Sequence, residues 1–419
     1  MPTRCLRSLL PALLACLAAC ASVAPPPAAP PVLLVSIDGL RADVVGRGEM
    51  PTLDALARRG VWARWMNPSY PALTFPNHYT LVTGLRPDHH GIVQNTMRDP
   101  VLGTFSLHDR DAVGDPRWWG GEPLWTTLRR HGGRAATMFW PGSEAAIGGA
   151  HPDYWRPFDA TVTPAQRVDQ VLAWLDLPRA RRPRFLTLYF NQVDSAEHAT
   201  GVASPETRAA QSAVDVALAR LLRGLEARGM RERINLVVVS DHGMAEIPDG
   251  QRVPLADLLH DAGLADSDVD VVTAGQVIGL AARPGHEAAV DAHLPGRHPH
   301  ATCWRKAELP ARWHYGRHPR IPPYVCQADV GWRYLAPEDD ADDWSARGAH
   351  GYAPEAPEMR AVFVADGPAF RNGVRLPPFD NVDVYPLLAR LLRIAPAPND
   401  GDARTFDVVL TDGGGAAGP

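Results

Sequence analysis

Cysteine is scarce in this chain, with 5 in 419 residues, and Cys5, Cys16 and Cys20 all lie near the amino terminus. A disulfide-dense scaffold and a cysteine-rich zinc module are therefore excluded. Positive charge is not in excess either: 42 basic residues against 47 acidic ones give −5. Losing Arg4 and Arg7 with a leader leaves 40 against 47, or −7. A chain so charged does not hold a polyanion by bulk attraction, so no specific nucleic-acid partner is expected. Phosphate binding would need a metal or a local cationic pocket. The apolar stretch Leu9 to Leu17 is too short to span a bilayer. The body has no internal repeat, heptad pattern or low-complexity block, which removes solenoids and coiled coils from consideration.

What is present begins with a leader. Arg4 and Arg7 precede Leu9–Leu17, and small residues follow, which reads as a secretion signal over 1–19. Leu17-Ala18-Ala19-Cys20 resembles a bacterial lipobox, which implies acylation of Cys20 and a lipid anchor on the periplasmic side of the outer membrane. The alternative is cleavage near Ala19 or Ala21 and a soluble exported product. Residues 20–31 then form the anchor cysteine and an Ala/Pro spacer of extended character. Residues 32–405 read as one folded unit and 406–419, Gly-rich at the end, as a tail. With 45% hydrophobic and 21% charged residues, that unit falls in the ordinary globular class.

Val32–Ile37, Ala135–Trp140, Phe185–Phe190, Ile234–Val239 and Ala361–Val364 are short, continuously apolar runs, the pattern of strands covered on both faces. Thr163-Pro164-Ala165-Gln166 and Ser204-Pro205 pair a cap residue with proline at the first helical position. Gly132 and Gly229 close helices that begin near Glu122 and Ser204. This alternation predicts an α/β fold with a mostly parallel central sheet and helices on both faces. The less regular stretch of about 251–346 is expected to be a smaller inserted subdomain. In an oxidising compartment its Cys303 and Cys326 are expected to pair as a disulfide. Metal binding by them is the weaker reading, because no second cysteine pair accompanies them.

Three predicted strands run into potential ligands: Val32–Ile37 into Asp38, Phe185–Phe190 towards Asp194, and Ile234–Val239 into Asp241 and His242. Ligands of open α/β sheets bind at such carboxyl ends. Any one carboxylate there is explained equally well as a helix cap. Asp194 and His198 stand four apart, on one face if that turn is helical. His350 lies between Gly348 and Gly351, where backbone can approach a site closely. Three Asp and three His supply two metals with three protein ligands each, a donor set that suits zinc. Thr74 opens a helical run, where the positive end of the helix favours an alkoxide or phosphate. Read by position alone, Thr74 is an ordinary N-cap.

Ser36-Ile37-Asp38-Gly39, Pro71 to Ile92, Asn95, Asp194 to His198, Ser240 to Met244, Gly348 to Tyr352 and Pro377 to Tyr385 together resemble the nucleotide pyrophosphatase/phosphodiesterase family of the alkaline phosphatase superfamily. The match runs from about Val32 to Gly401. The resemblance implies an alkaline-phosphatase-like fold and two Zn2+. Asp38, Asp241 and His242 would hold one ion, which also meets Thr74; Asp194, His198 and His350 would hold the other. It implies Thr74 as nucleophile, Asn95 as a donor to a phosphoryl oxygen, and Phe75 as one wall of a nucleobase site. The substrate is then a nucleotide or related phosphodiester. Tyr154, Trp155 and Phe158 are candidates for the second wall because aromatic faces stack on planar rings; packing roles explain them equally well.

Thr74-Phe75-Pro76-Asn77-His78 lacks the Cys/Ser-x-Pro-x-Arg pattern of a sulfatase. A phosphomonoesterase and a lipid or phosphonate diesterase remain as rivals, since the ligand set does not distinguish the esters. A non-catalytic surface lipoprotein is the reading outside enzymes. Oligomeric state is not legible.

Overall fold

The computed structural model describes residues 29–336 and 341–411. The leader, Cys20 and most of the spacer lie outside the described residues, as does 412–419. Among the described residues no helix is long and apolar enough to cross a membrane.

Thirteen strands build the two main sheets. In chain order they are β1 (Val32–Ile37), β2 (Val61–Ala63), β3 (Ala135–Met138), β4 (Tyr154–Arg156), β5 (Phe185–Phe190), β6 (Asn235–Val239), β7 (Val269–Thr273), β8 (Val277–Ala282), β9 (Gly296–His298), β10 (Ala301–Arg305), β11 (Tyr324–Ala328), β12 (Phe363–Asp366) and β13 (Val374–Leu376). The eight-stranded central sheet has the order β13-β2-β12-β6-β1-β5-β3-β4. Only β12 runs against its neighbours. β1 sits in the middle, parallel to β5 on one side and β6 on the other, in registers that bring Ile37 opposite Phe190 and Ser36 opposite Val239. The three strands therefore end level, and the residues that follow them meet.

Every residue of β1, β5 and β6 is buried, as their unbroken apolar character requires. Alternation along β1 sends Val32 and Leu34 into one apolar cluster and Leu33, Val35 and Ile37 into another, so the sheet separates two cores. The labelled helices are α1 (Pro51–Arg59), α2 (Thr74–Thr83), α3 (Pro164–Leu175), α4 (Gln192–Thr200) and α5 (Pro205–Ala227). α3 opens with the predicted Thr163–Gln166 capping box, and Ser204 caps α5 by accepting the Thr207 N–H. α5 buries Val214, Leu218, Leu221 and Leu225, spaced four, three and four apart along one face. Each contributes about 1.5–3 kcal/mol by leaving water.

β7 to β11 form a separate antiparallel sheet in the order β7-β8-β11-β10-β9. Cys303 and Cys326 face one another across β10 and β11 and are joined as a disulfide. Beyond residue 405 the described chain continues to Thr411. Phe406, Val409 and Leu410 recur at helical spacing and are buried, with Phe406 packed on Phe363 and Phe379.

Candidate active site

The level ends of β1, β5 and β6 bring the six predicted ligand residues to one place. Asp38 follows β1 and Asp241-His242 follows β6, all three fully or nearly fully buried. α4 begins just past β5, and its helical turn puts Asp194 and His198 on one face, as their spacing predicted. Glycine permits the approach of the loops. Gly39, at φ 73°, leaves no slack for a side chain: a Cβ there would stand 3.1 Å from the Asp194 backbone and Cβ. A Cβ on Gly348 would lie 2.5 Å from the Glu197 carbonyl oxygen, so the segment that leads into His350 lies directly on α4.

The Asp194 Oδ1 atom lies 3.5 Å from His198 Nε2 and 3.6 Å from His350 Nε2. His242 Nε2 lies 2.9 Å from Asp241 Oδ2 and 3.6 Å from Asp38 Oδ1. The His242 and His350 rings stack with centroids 3.6 Å apart, so the two groups adjoin. Thr74 is the first residue of α2, whose cap is Leu73, and its Oγ1 lies 3.3 Å from His242 Nε2. It is therefore placed at the ligand cluster rather than on the cap.

The donor chemistry fits divalent metal. Each imidazole turns its Nδ1 to a backbone carbonyl: His198 to Gly348, His242 to Gly243 and His350 to Ala72, at 2.8, 2.9 and 3.0 Å. A carbonyl only accepts, so Nδ1 carries the proton and each Nε2 lone pair faces the cluster. Each carboxylate meanwhile keeps one buried oxygen without a hydrogen-bond partner, namely Asp38 Oδ1, Asp194 Oδ1 and Asp241 Oδ2. Buried polar atoms without partners are rare, and here three converge with three imidazole Nε2 atoms, of which that of His242 also meets the Thr74 hydroxyl.

Without a cation this constellation is electrostatically costly, since two carboxylate charges 4 Å apart repel by about 4 kcal/mol near a protein surface and by more inside. Burial, with Asp241 and Asp194 beside it, pushes the Asp38 carboxyl well above the ordinary range. Burial also opposes the charge on Asp241, but the imidazoles of His242 and His78 outweigh it and hold that carboxyl well below its usual value. His242 is raised because Asp241 overcomes its burial, while burial and the neighbouring His242 and His198 keep His350 neutral.

Two side chains that the sequence did not single out complete the setting. The Tyr189 hydroxyl, from β5, donates to Asp38 Oδ2 at 2.5 Å. His78, one turn beyond Thr74 on α2, lies 3.2 Å from Asp241 Oδ2. The clue in the sequence was spacing: His78 is four residues after Thr74 and thus on its face of the helix.

Asn95 accepts the Phe75 N–H on its Oδ1 at 3.0 Å, which leaves its amide N–H groups for another partner beside Thr74. Phe75 is partly buried against Phe105 and Trp119. Phe158 packs on Phe139 and on Tyr189, one side chain away from Asp38, with the Arg167 guanidinium behind it. The expectation for Tyr154 is corrected. Its hydroxyl donates to the Arg181 carbonyl, at the opposite end of the sheet from the ligands, and its ring lies on Trp174. Trp155 stacks on His151 and is also absent from the cluster. A cleft of about 970 Å³ opens on the exposed side, lined by Asn95, Ser195, His198, His350 and residues of β7 and the strand that follows.

A family model described as type I phosphodiesterase / nucleotide pyrophosphatase matches residues 32–353. The chain belongs to this family. It is 36% identical over 385 residues to an uncharacterized pyrophosphatase/phosphodiesterase of Schizosaccharomyces pombe, covering 88% of this chain and 78% of that one. It is likewise 36% identical over 397 residues to human ectonucleotide pyrophosphatase/phosphodiesterase family member 1, covering 91% of this chain and 42% of the relative. The chain thus spans less than half the length of the animal relative. Murine ectonucleotide pyrophosphatase/phosphodiesterase 5, solved as an inactive threonine-to-alanine variant in complex with AMP, superposes with a TM-score of 0.84 at 32% identity, covering 91% of this chain and 100% of that one. Family membership accounts for the alkaline-phosphatase-like arrangement of the central sheet and its helices.

Proposed function

We propose that this protein is an exported, two-zinc hydrolase that cleaves phosphodiester or pyrophosphate bonds in nucleotides, for example ATP to AMP and pyrophosphate. The observation that carries the reading is the convergence of three unpartnered carboxylate oxygens and three Nε2 lone pairs beside the Thr74 hydroxyl. Asp38, Asp241 and His242 would hold the ion next to Thr74, and Asp194, His198 and His350 the other. Bound zinc would supply the charge that acidifies a hydroxyl or water and offsets negative charge on the phosphoryl oxygens.

The chain's own groups then divide the work. Thr74 Oγ1, at the start of α2, would attack the α-phosphorus of ATP and lose its proton to solvent; the bond to the pyrophosphate oxygen breaks, that oxygen takes the electron pair, and a threonyl phosphodiester carrying AMP is left. The Asn95 amide N–H groups, on the far side of the carboxamide from the oxygen that accepts the Phe75 N–H, would donate to a phosphoryl oxygen. Water attacks phosphorus in a second in-line step, the bond to Thr74 Oγ1 breaks, and that oxygen recovers a proton. Two inversions give net retention at phosphorus. Phe75 and Phe158 would flank the base, supported by the proximity of Phe158 to Tyr189.

A nucleotide is favoured because the similar murine structure holds AMP and carries an inactivating threonine-to-alanine change. A monoesterase is the rival that shares the ligand set. Hydrolysis of ATP separates them: AMP plus pyrophosphate supports the reading, and ADP plus phosphate overturns it. Anchoring through a lipid on Cys20 at the periplasmic side of the outer membrane belongs to the same proposal, and mass spectrometry of the mature amino terminus tests it.

A further inference from the structure

His78 is completely buried, yet it is not a member of either proposed ligand triad. Its ring meets every element that builds the closed side of the site. Nδ1 lies 2.9 Å from the Thr74 carbonyl and 3.2 Å from Asp241 Oδ2. Both atoms are acceptors, so Nδ1 carries the proton, and the hydrogen-bond geometry directs it to the Thr74 carbonyl with the carboxylate alongside. Nε2 lies 2.8 Å from the hydroxyl of Ser36, two residues before Asp38 on β1. The ring faces are packed edge-on by Trp140 at 5.0 Å and by Tyr189 at 5.1 Å, and Tyr189 donates to Asp38. The Trp140 indole N–H donates to the His78 carbonyl, which fixes the backbone of this turn.

We propose that His78 is a positioning residue that sets the Thr74 turn of α2 against Asp241 and Asp38, so that the nucleophile and its adjacent metal site keep one geometry. The Nε2 atom of His78 is turned to the Ser36 hydroxyl on β1, whereas the Nε2 atoms of His198, His242 and His350 face the Asp cluster and Thr74. A nucleophile displaced by 1 Å costs about a hundredfold in rate. Loss of an outer partner of a metal ligand weakens metal binding by about 10–100-fold. This inference rests on the two-metal, threonine-nucleophile reading above.

The test uses the full chain and three substitutions. His78→Leu keeps the apolar volume and removes both polar contacts. His78→Asn can present a donor where Nδ1 stands, and Ser36→Ala frees the other edge of the ring. The readouts are kcat and KM on a nucleoside nitrophenyl phosphodiester, zinc retained against a graded chelator, and the melting temperature. The expected result for His78→Leu is a kcat lower by about 30–100-fold with KM within threefold, and one zinc released at about tenfold lower chelator. His78→Asn should recover at least a third of the lost kcat on a logarithmic scale, and Ser36→Ala should fall by about threefold to tenfold. A folded His78→Leu with kcat within threefold of the parent and unchanged zinc retention overturns the proposal. So does an equal loss in the Leu and Asn variants, which would assign His78 to packing alone. Should His78→Leu not fold, an unaltered Ser36→Ala overturns it. If the parent protein binds zinc but does not cleave the diester, the functional reading fails while zinc retention still tests His78.

Discussion

The two halves of the candidate centre use the same donor types in different solvents. Asp38, Asp241 and His242 have side chains exposed by no more than 2%, whereas Asp194, His198 and His350 are exposed by 16%, 32% and 6%. The closed half lies at the core of the sheet with the half-buried Thr74 at its edge, and its carboxylates are held by Tyr189 and the Gly39 N–H. The open half borders the cleft on α4. Under the proposed function the difference would divide the work: the buried half would fix the geometry around Thr74, and the exposed half would admit water and release product. Removing a closed-half group leaves buried charge without compensation, while solvent can substitute for an open-half group.

The largest test of this contrast is on activity. Thr74→Ala should lower kcat by about 10⁴-fold or more, since nothing else at the site replaces the hydroxyl. Asp241→Asn should follow closely, by about 10³-fold, with loss of one equivalent of zinc that millimolar zinc does not restore. His198→Gln should lose only about 10–100-fold and regain most of it when zinc is added. Steady-state rates with metal analysis of the same samples decide the matter. Equal losses and equal rescue in the two halves would remove the distinction. Titration with a chelator should likewise release metal in two steps, the open-half ion first.

Legibility followed the same division between local and long-range signals. Asp38 and Asp241-His242 were readable because unbroken apolar runs end in them, and Asp194 with His198 because helical spacing is a local property. Their convergence needed only the rule that parallel strands end level. Tyr189 was hidden because it is one of six buried residues in β5, all of which look alike in sequence. Its contact to Asp38 depends on the register between β1 and β5, which a single chain does not display. Tyr154 misled for the same reason: its identity suits a base-stacking wall, but β4 is an edge strand and the hydroxyl points to the far end of the sheet. The antiparallel sheet of β7 to β11 read as irregular because it mixes the fully buried β11 with the partly exposed β7, β9 and β10, so that neither continuous nor alternating hydrophobicity runs through it. Phe406, Val409 and Leu410 are buried through contacts distant in sequence, which their place just before a Gly-rich end does not display.

Tyr189→Phe sharpens the comparison at smaller amplitude. It removes one hydrogen bond from Asp38 and keeps the ring that packs on His78 and Phe158. A loss of about tenfold in kcat or in metal affinity is expected, confined to the closed-half ion. A change seen instead in the ion that leaves first would place Tyr189 outside the role given to it.

The smallest effect concerns the helix that carries the nucleophile, and it is thermodynamic. His90 is fully buried and lies 3.1 Å from the Thr80 hydroxyl and 3.2 Å from the Pro76 carbonyl, both on α2. Burial, above the other influences on it, lowers its pKa from 6.5 to about 3. The folded value is depressed, so its contribution is complete above pH 6.5 and is lost as pH falls from there towards about 3. Between pH 7 and pH 5 that amounts to about 2 kcal/mol, at 1.36 kcal/mol per unit over one and a half units. Urea unfolding at the two pH values should show this loss in the parent protein and a flatter dependence in His90→Asn, whatever the starting stability of the variant. A parallel pair of pH profiles would mean that the buried ring does not govern the acid sensitivity of the α2 region, and that the closed half loosens in acid through its own carboxylates.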